Sequence, residues 1–206
     1  PRSSNMLRSP VLAFGAIAMV FCVFTSPVHA AAKDAENFIR QMGNKAFASL
    51  SEGGISDDQR TERFKALLEE AFDLPRIARF TLGRYWRVAT DDEKSEYVAL
   101  FEKFVILAYA TRFQDLSGKK FMVLQSRDIS ANQSLVLSEI VIPNRPAVKI
   151  NWRVRSKEEK HKITDVMVEG ISMSVTQRDE FVSVIRQTGG KVAGLIKALR
   201  QKTSSN

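Results

Sequence analysis

The chain has 206 residues, 31 Lys and Arg against 23 Asp and Glu, a formal net charge of +8, two histidines and one cysteine. One cysteine excludes a disulfide framework, and so few His and Cys argue against a transition-metal site. The basic surplus suits an anionic partner, either a phospholipid headgroup or membrane surface or a nucleic acid.

Val11 to Phe24 is an uncharged apolar run of fourteen residues, shorter than the roughly 20 that span a bilayer. Arg2 and Arg8 precede it, and Ser26, Pro27 and Val28-His29-Ala30 follow. A basic start, a short apolar stretch and a small-residue exit are the marks of a secretory signal peptide. The expected organisation is a signal peptide over 1–30 cleaved after Ala30, export to the periplasm, a single domain over 31–202 and a polar tail over 203–206. Cys22 follows Phe21 rather than a small residue, which makes a poor lipidation site. Without the first thirty residues the chain keeps 29 basic against 23 acidic residues, a net +6, and no cysteine. Its stability must then come from a core, which one domain of this length can bury. Export also argues against nucleic acid as the partner.

Ala32 to Leu50 reads as a helix, with Ala35, Phe38, Ile39, Met42, Ala46 and Phe47 in one apolar stripe. Gly53-Gly54 breaks it. Ser56 then caps a second helix, Gln59 completing a capping box, with Phe64, Leu67, Leu68, Ala71 and Phe72 on its apolar side. Pro75 opens a short third helix that Gly83 ends. Thr90 and Glu93 form the capping box of the longest helix, and Asp91 and Asp92 favour its N-terminal dipole. Phe104 to Ala110 within that helix is apolar on every side. Such a stretch must be covered all round, either at the centre of a thick core or with one flank lining a cavity.

After Ser117-Gly118 the pattern changes to strands: Lys119 to Arg127, Ser134 to Ile142, Ala147 to Arg155 and His161 to Glu169. The third alternates Val148, Ile150, Trp152 and Val154 with Lys149, Asn151, Arg153 and Arg155, one face dry and one wet. With Ser156 to Lys160 as a hairpin loop, Val154 is expected opposite Lys162, Ile150 opposite Val166 and Val148 opposite Val168. That register turns the valines in and Asp165 out. Gly170 is expected to end the sheet. Thr176 to Gln187 and Lys191 to Lys202 close the chain as helices, hinged at Gly189-Gly190. The fold class is α+β, a curved antiparallel four-stranded sheet with helices on its dry face.

No catalytic constellation emerges. His161 lies in a lysine-rich hairpin and reads as a surface residue. Thr188-Gly189-Gly190-Lys191 lacks the first glycine of a phosphate loop, and Val192 stands where that loop needs Ser or Thr. Gly170 to Ser174 is not a nucleophile elbow. No catalytic residue, metal ligand or cofactor is expected.

Two segments carry a family likeness. Gly83 to Val123 opens on Gly-Arg-Tyr-Trp-Arg, with Thr90 and Glu93-Lys94 after it. Lys162 to Arg200 holds Asp165-Val166, Glu169-Gly170 and Arg178 with Phe181. In these the chain resembles the toluene-tolerance family of periplasmic lipid carriers, which includes the soluble shuttle of the Mla lipid-asymmetry system. The resemblance implies an NTF2/cystatin-like fold with acyl chains held between sheet and helices. It implies no enzymatic activity and bound lipid as cargo rather than cofactor. Its implied partners are an inner-membrane ABC transporter complex with a substrate-binding subunit and an outer-membrane lipoprotein assembly. A branch of the family is associated with hopanoid transport, so the cargo is a phospholipid or a hopanoid. With that fold in view the cavity is preferred over the thick core. Its expected lining is Phe101, Phe104, Ala108 and Tyr109 on the long helix, Val148, Ile150 and Trp152 on the third strand, and Val166 and Val168 on the fourth.

Overall fold

The computed structural model describes residues 28–110 and 118–204, so the apolar run Val11 to Phe24 and Cys22 lie outside the described residues. No described helix is long and apolar enough to cross a membrane. The helical half comprises α1 (Val28–Leu50), α2 (Asp57–Ala71), α3 (Leu74–Leu82), a 3-10 turn (Gly83–Arg87) and α4 (Asp91–Tyr109). Both expected capping boxes form. Ser56 accepts from the Gln59 amide and Thr90 from the Glu93 amide, and each N3 side chain returns the bond. Asp73 caps α3, with Pro75 in its first turn. Gly83 follows at φ +59°, a conformation that only glycine adopts without strain.

The strands are β1 (Lys120–Ser130), β2 (Gln133–Val141), β3 (Val148–Lys157), β4 (Lys160–Val168) and β5 (Ile171–Ser172), and α5 (Met173–Gln187) and α6 (Val192–Ser204) follow. The sheet is an antiparallel meander in the order β1-β2-β3-β4-β5. Its fifth strand departs from the four expected. Glu169 and Gly170, both at positive φ, form a tight turn, and Val168 pairs with Ile171 across it. The expected polar tail is also shorter than the sequence suggested, because α6 runs to Ser204 and buries Thr203.

The register between β3 and β4 differs from the expected one. Ile150 stands opposite Val168, Trp152 opposite Val166, Val154 opposite Ile163, and Arg155 opposite Lys162. Two local features move it. Glu158 and Glu159 at φ 51° and 63° make a two-residue turn, so Lys157 pairs directly with Lys160 and no longer loop exists. A bulge at Thr164 then inserts one unpaired residue in β4. The bulge carries the inward alternation from Ile163 to Val166, so both reach the interior, which no unbroken register allows.

Asp165, expected on the wet face, is 7% exposed. Its carboxylate accepts from the Ser174 amide (3.1 Å), the Ser174 hydroxyl (2.7 Å) and the Ser172 hydroxyl (2.7 Å). Ser172 in turn caps α5 through the Val175 amide. Glu169 accepts from the Lys149 amide at 2.5 Å. The Asp165-Val166…Glu169-Gly170 pattern is thus the joint that fixes α5 to the end of the sheet.

Apolar side chains gather in three clusters. One joins α3, α4, α5 and α6 through Leu82, Tyr97, Phe101, Phe181 and Leu195. A second joins the end of α1 to α2 and α4 through Leu50, Phe64, Leu68 and Ile106. The third packs α1 on the sheet through Ile39, Val136, Val154 and Ile163. Buried Glu36 ties α1 to β1 by accepting from Ser126 at 3.0 Å. Lys33 first, then Ser126 and Arg40, hold its carboxyl below the usual range against the opposing effect of burial.

Candidate functional site: an apolar cavity between sheet and helices

Where the three clusters meet they do not close on one another. They leave a cavity of about 320 Å³, within the range of small-molecule sites. The sheet supplies one wall, through Phe121, Ile140, Ile150, Trp152, Ile163, Val166 and Val168. α1 contributes Ile39, Met42 and Phe47, and α2 contributes Phe64, Leu67 and Leu68. Phe101, Val105 and Tyr109 of α4 complete the circuit.

Polar groups are few in this lining and mostly engaged. The Trp152 indole donates to the Ser138 hydroxyl at 2.8 Å, and that hydroxyl donates to the Ile150 carbonyl at 2.7 Å. The ring can therefore face the cavity with its N–H satisfied. Thr81 lies 2.8 Å from the Tyr97 hydroxyl and donates to the Ala78 carbonyl at 3.0 Å. Burial pushes the Tyr97 phenol well above its usual pKa, so it stays neutral. Asp165, Ser174 and Gln177 supply the remaining polar lining, the first two bonded to each other.

Of the residues expected to line a cavity, the structure brings together Phe101, Tyr109, Ile150, Trp152, Val166 and Val168. Phe104, Ala108 and Val148 are not in the wall. On α4, Phe101, Val105 and Tyr109 follow one another at four-residue steps and form the ridge that faces in. Phe104 and Ala108 belong to the neighbouring ridge. The Phe104 ring instead sits 5.8 Å from Phe181 on α5, with the Lys202 ammonium 5.5 Å away. Val148 pairs with Ile140 at the start of β3, and Ile140 is the one that forms the wall there.

Sequence reasoning missed the α1 and α2 walls as a site, although their stripes were visible as core faces. Gly43 was not singled out at all. A Cβ at that position would lie 2.2 Å from the Phe121 ring. Gly43→Ala is therefore expected to drive Phe121 into the cavity. Bound apolar ligand, measured by extraction, should fall several-fold, with a stability loss of about 1–2 kcal/mol in a urea titration.

His161 is half-buried rather than a free surface residue. Its Nδ1 lies 2.8 Å from the Ser156 hydroxyl and its ring 5.6 Å from that of Phe38. Among the described residues no group of His, Cys, Asp and Glu could hold a metal ion.

A solved structure of similar architecture is that of the phospholipid-binding protein from Ralstonia solanacearum in complex with a phospholipid. It superposes with a TM-score of 0.72 at 21% sequence identity, over 83% of this chain and 97% of that one. At this identity the likeness speaks for the fold. In sequence, residues 40–201 match the model of the MlaC protein family, which spans both halves of the fold and all of the cavity lining but Ile39, and the chain belongs to that family.

Proposed function

We propose that this protein is a periplasmic carrier of phospholipid, which holds the acyl chains of its cargo between sheet and helices. The observation that carries this reading is the cavity itself, lined almost wholly by apolar side chains, with its few polar groups bonded to protein. Membership of the MlaC family and the phospholipid complex of the Ralstonia protein support it. The finer role is that of a soluble shuttle between inner and outer membranes. It would load and unload at an ABC transporter complex with a substrate-binding subunit and at an outer-membrane lipoprotein assembly.

Energetics shape how such a carrier works. Burying a methylene is worth about 0.8 kcal/mol, so two acyl chains of ~15 carbons represent roughly 24 kcal/mol against water. A bilayer already supplies that burial. The carrier therefore offers a near-equal environment, dry and deformable, and its docking partners set the direction of transfer.

Native mass spectrometry of protein purified from a periplasmic fraction tests the reading. A phospholipid mass adduct is expected, and a hopanoid adduct would replace the cargo class. Ligand-free protein from that fraction, with no lipid taken up from vesicles, would overturn the carrier role.

A hydrolytic reading has one observation behind it, the contact between Ser156 and His161. Neither residue lines the cavity. His161→Ala is accordingly expected to leave bound lipid unchanged, with a stability change of about 1 kcal/mol or less for the lost hydrogen bond and ring contact. Loss of lipid turnover in a folded His161→Ala protein would favour the enzyme.

A further inference from the structure

The Gly-Arg-Tyr-Trp-Arg turn takes no part in the cavity wall, yet it organises the surface beside it. Arg79 and Lys94 approach the Trp86 ring, each 5.9 Å from its centroid. The Arg178 guanidinium lies 5.0 Å from the Phe80 ring. Arg84 sits 5.1 Å from the Tyr85 ring and donates to its hydroxyl, which Arg186 also reaches. Arg87 is exposed on the same turn. These contacts form three neighbouring groups along α3 and the turn after it, each setting a guanidinium or ammonium against an aromatic ring.

Acidic groups answer only part of this charge. Asp91 pairs with Lys94 at 3.0 Å and Asp179 with Arg178 at 3.4 Å. Asp92 is exposed at the start of α4, and Glu93 is engaged in its capping box. Among the described residues, Arg79, Arg84, Arg87 and Arg186 have no ion-pair partner. Between these cations two apolar side chains face water: Phe80 is 41% exposed and Val88 73%.

We propose that the surface from Phe80 to Val88, with Arg79, Arg84, Arg87 and Arg178 around it, docks on an anionic lipid bilayer. Charge complementarity selects an anionic partner, and a second copy of the same face would set guanidinium against guanidinium. The mixture of side chains selects a bilayer: exposed Phe80 and Val88 and half-buried Trp86 stand among arginines, and these are the residue types found at membrane interfaces. Position supports it as well. α3 sends Ile77 and Thr81 into the cavity wall and carries Arg79 and Phe80 on its exposed side, so docking brings a wall of the cavity to the membrane.

The test is co-sedimentation of protein from a periplasmic fraction with vesicles of phosphatidylglycerol and phosphatidylcholine, against phosphatidylcholine alone. Wild type is expected to sediment with the anionic vesicles and to be released as salt shortens the screening length. Each basic side chain near an anionic surface contributes ~1 kcal/mol, so Arg79→Gln/Arg84→Gln/Arg87→Gln is expected to weaken binding about 100-fold. Val88→Asp, at a site with little packing to lose, is expected to weaken it by an order of magnitude or so. Arg127→Gln/Arg153→Gln/Arg155→Gln on the outer sheet face removes the same charge elsewhere, and should have a much smaller effect. Equal losses from the two triple variants would mean that net charge, not this surface, binds, and would overturn the proposal. So would a wild type that ignores anionic vesicles, sediments equally with neutral ones, or binds only acidic proteins through these arginines. Extracted lipid reports on the cavity separately. It should be unchanged in every variant, and its absence from wild type would count against the carrier reading while leaving the vesicle result to stand.

Discussion

Ile150→Trp is expected to empty the cavity of most of its lipid while leaving the lipid-free protein nearly as stable as wild type. Ile150 lies in the sheet wall, paired with Val168 and adjacent to Trp152 on the dry face. A larger side chain there has open volume to enter, so it competes with acyl chains rather than with packed protein. In a solid core the same overpacking typically costs about 1–3 kcal/mol, whether or not lipid is present. The two situations separate cleanly when thermal stability and extracted lipid are measured on one preparation. About a tenfold fall in lipid with a stability change under about 1 kcal/mol is the expected pair of results. A large loss of stability with lipid unchanged would mean that Ile150 faces packed protein.

The second large effect concerns the joint between sheet and α5. Asp165→Ala removes the acceptor of three hydrogen bonds and leaves the Ser174 amide buried without its partner. Hydrogen bonds to charged groups are worth roughly 1.5–3 kcal/mol each and do not add fully, so a loss of about 3 kcal/mol in urea unfolding is expected. Asp165→Asn keeps one acceptor oxygen and should lose about half as much. Because α5 carries Met173, Ser174 and Gln177 into the cavity lining, lipid retention should fall along with stability. An alanine variant as stable as wild type would show that α5 is held by its apolar face alone, through Phe181 and Ile185.

Much of the fold is legible in the sequence. Ser56 with Gln59 and Thr90 with Glu93 announce helix starts because their hydrogen bonds close within four residues. The strict alternation of Val148 to Arg155 announces a strand with one dry face, since the side-chain period of two needs no partner to be read. The stripes of α1 and α2 were equally clear as buried faces.

What they are buried against was not. Periodicity says that Phe64, Leu67 and Leu68 avoid water, but it is silent on whether protein or an open volume receives them. The β3–β4 register shows the same limit. Pairing depends on a two-residue turn at Glu158-Glu159, neither of them glycine, and on a bulge at Thr164. The bulge brings Ile163 and Val166 inward together, where they pack with Ala35 and Ile39 of α1. Asp165 is buried for a related reason, since Ser172 and Ser174 reach it only once the chain has reversed at Gly170. Helix caps, strand faces and the apolar stripes were thus determined by the sequence itself, through interactions a few residues long. The cavity, its α1 and α2 walls and the buried carboxylate were decided by tertiary structure, because each depends on groups that only the assembled fold brings within contact distance.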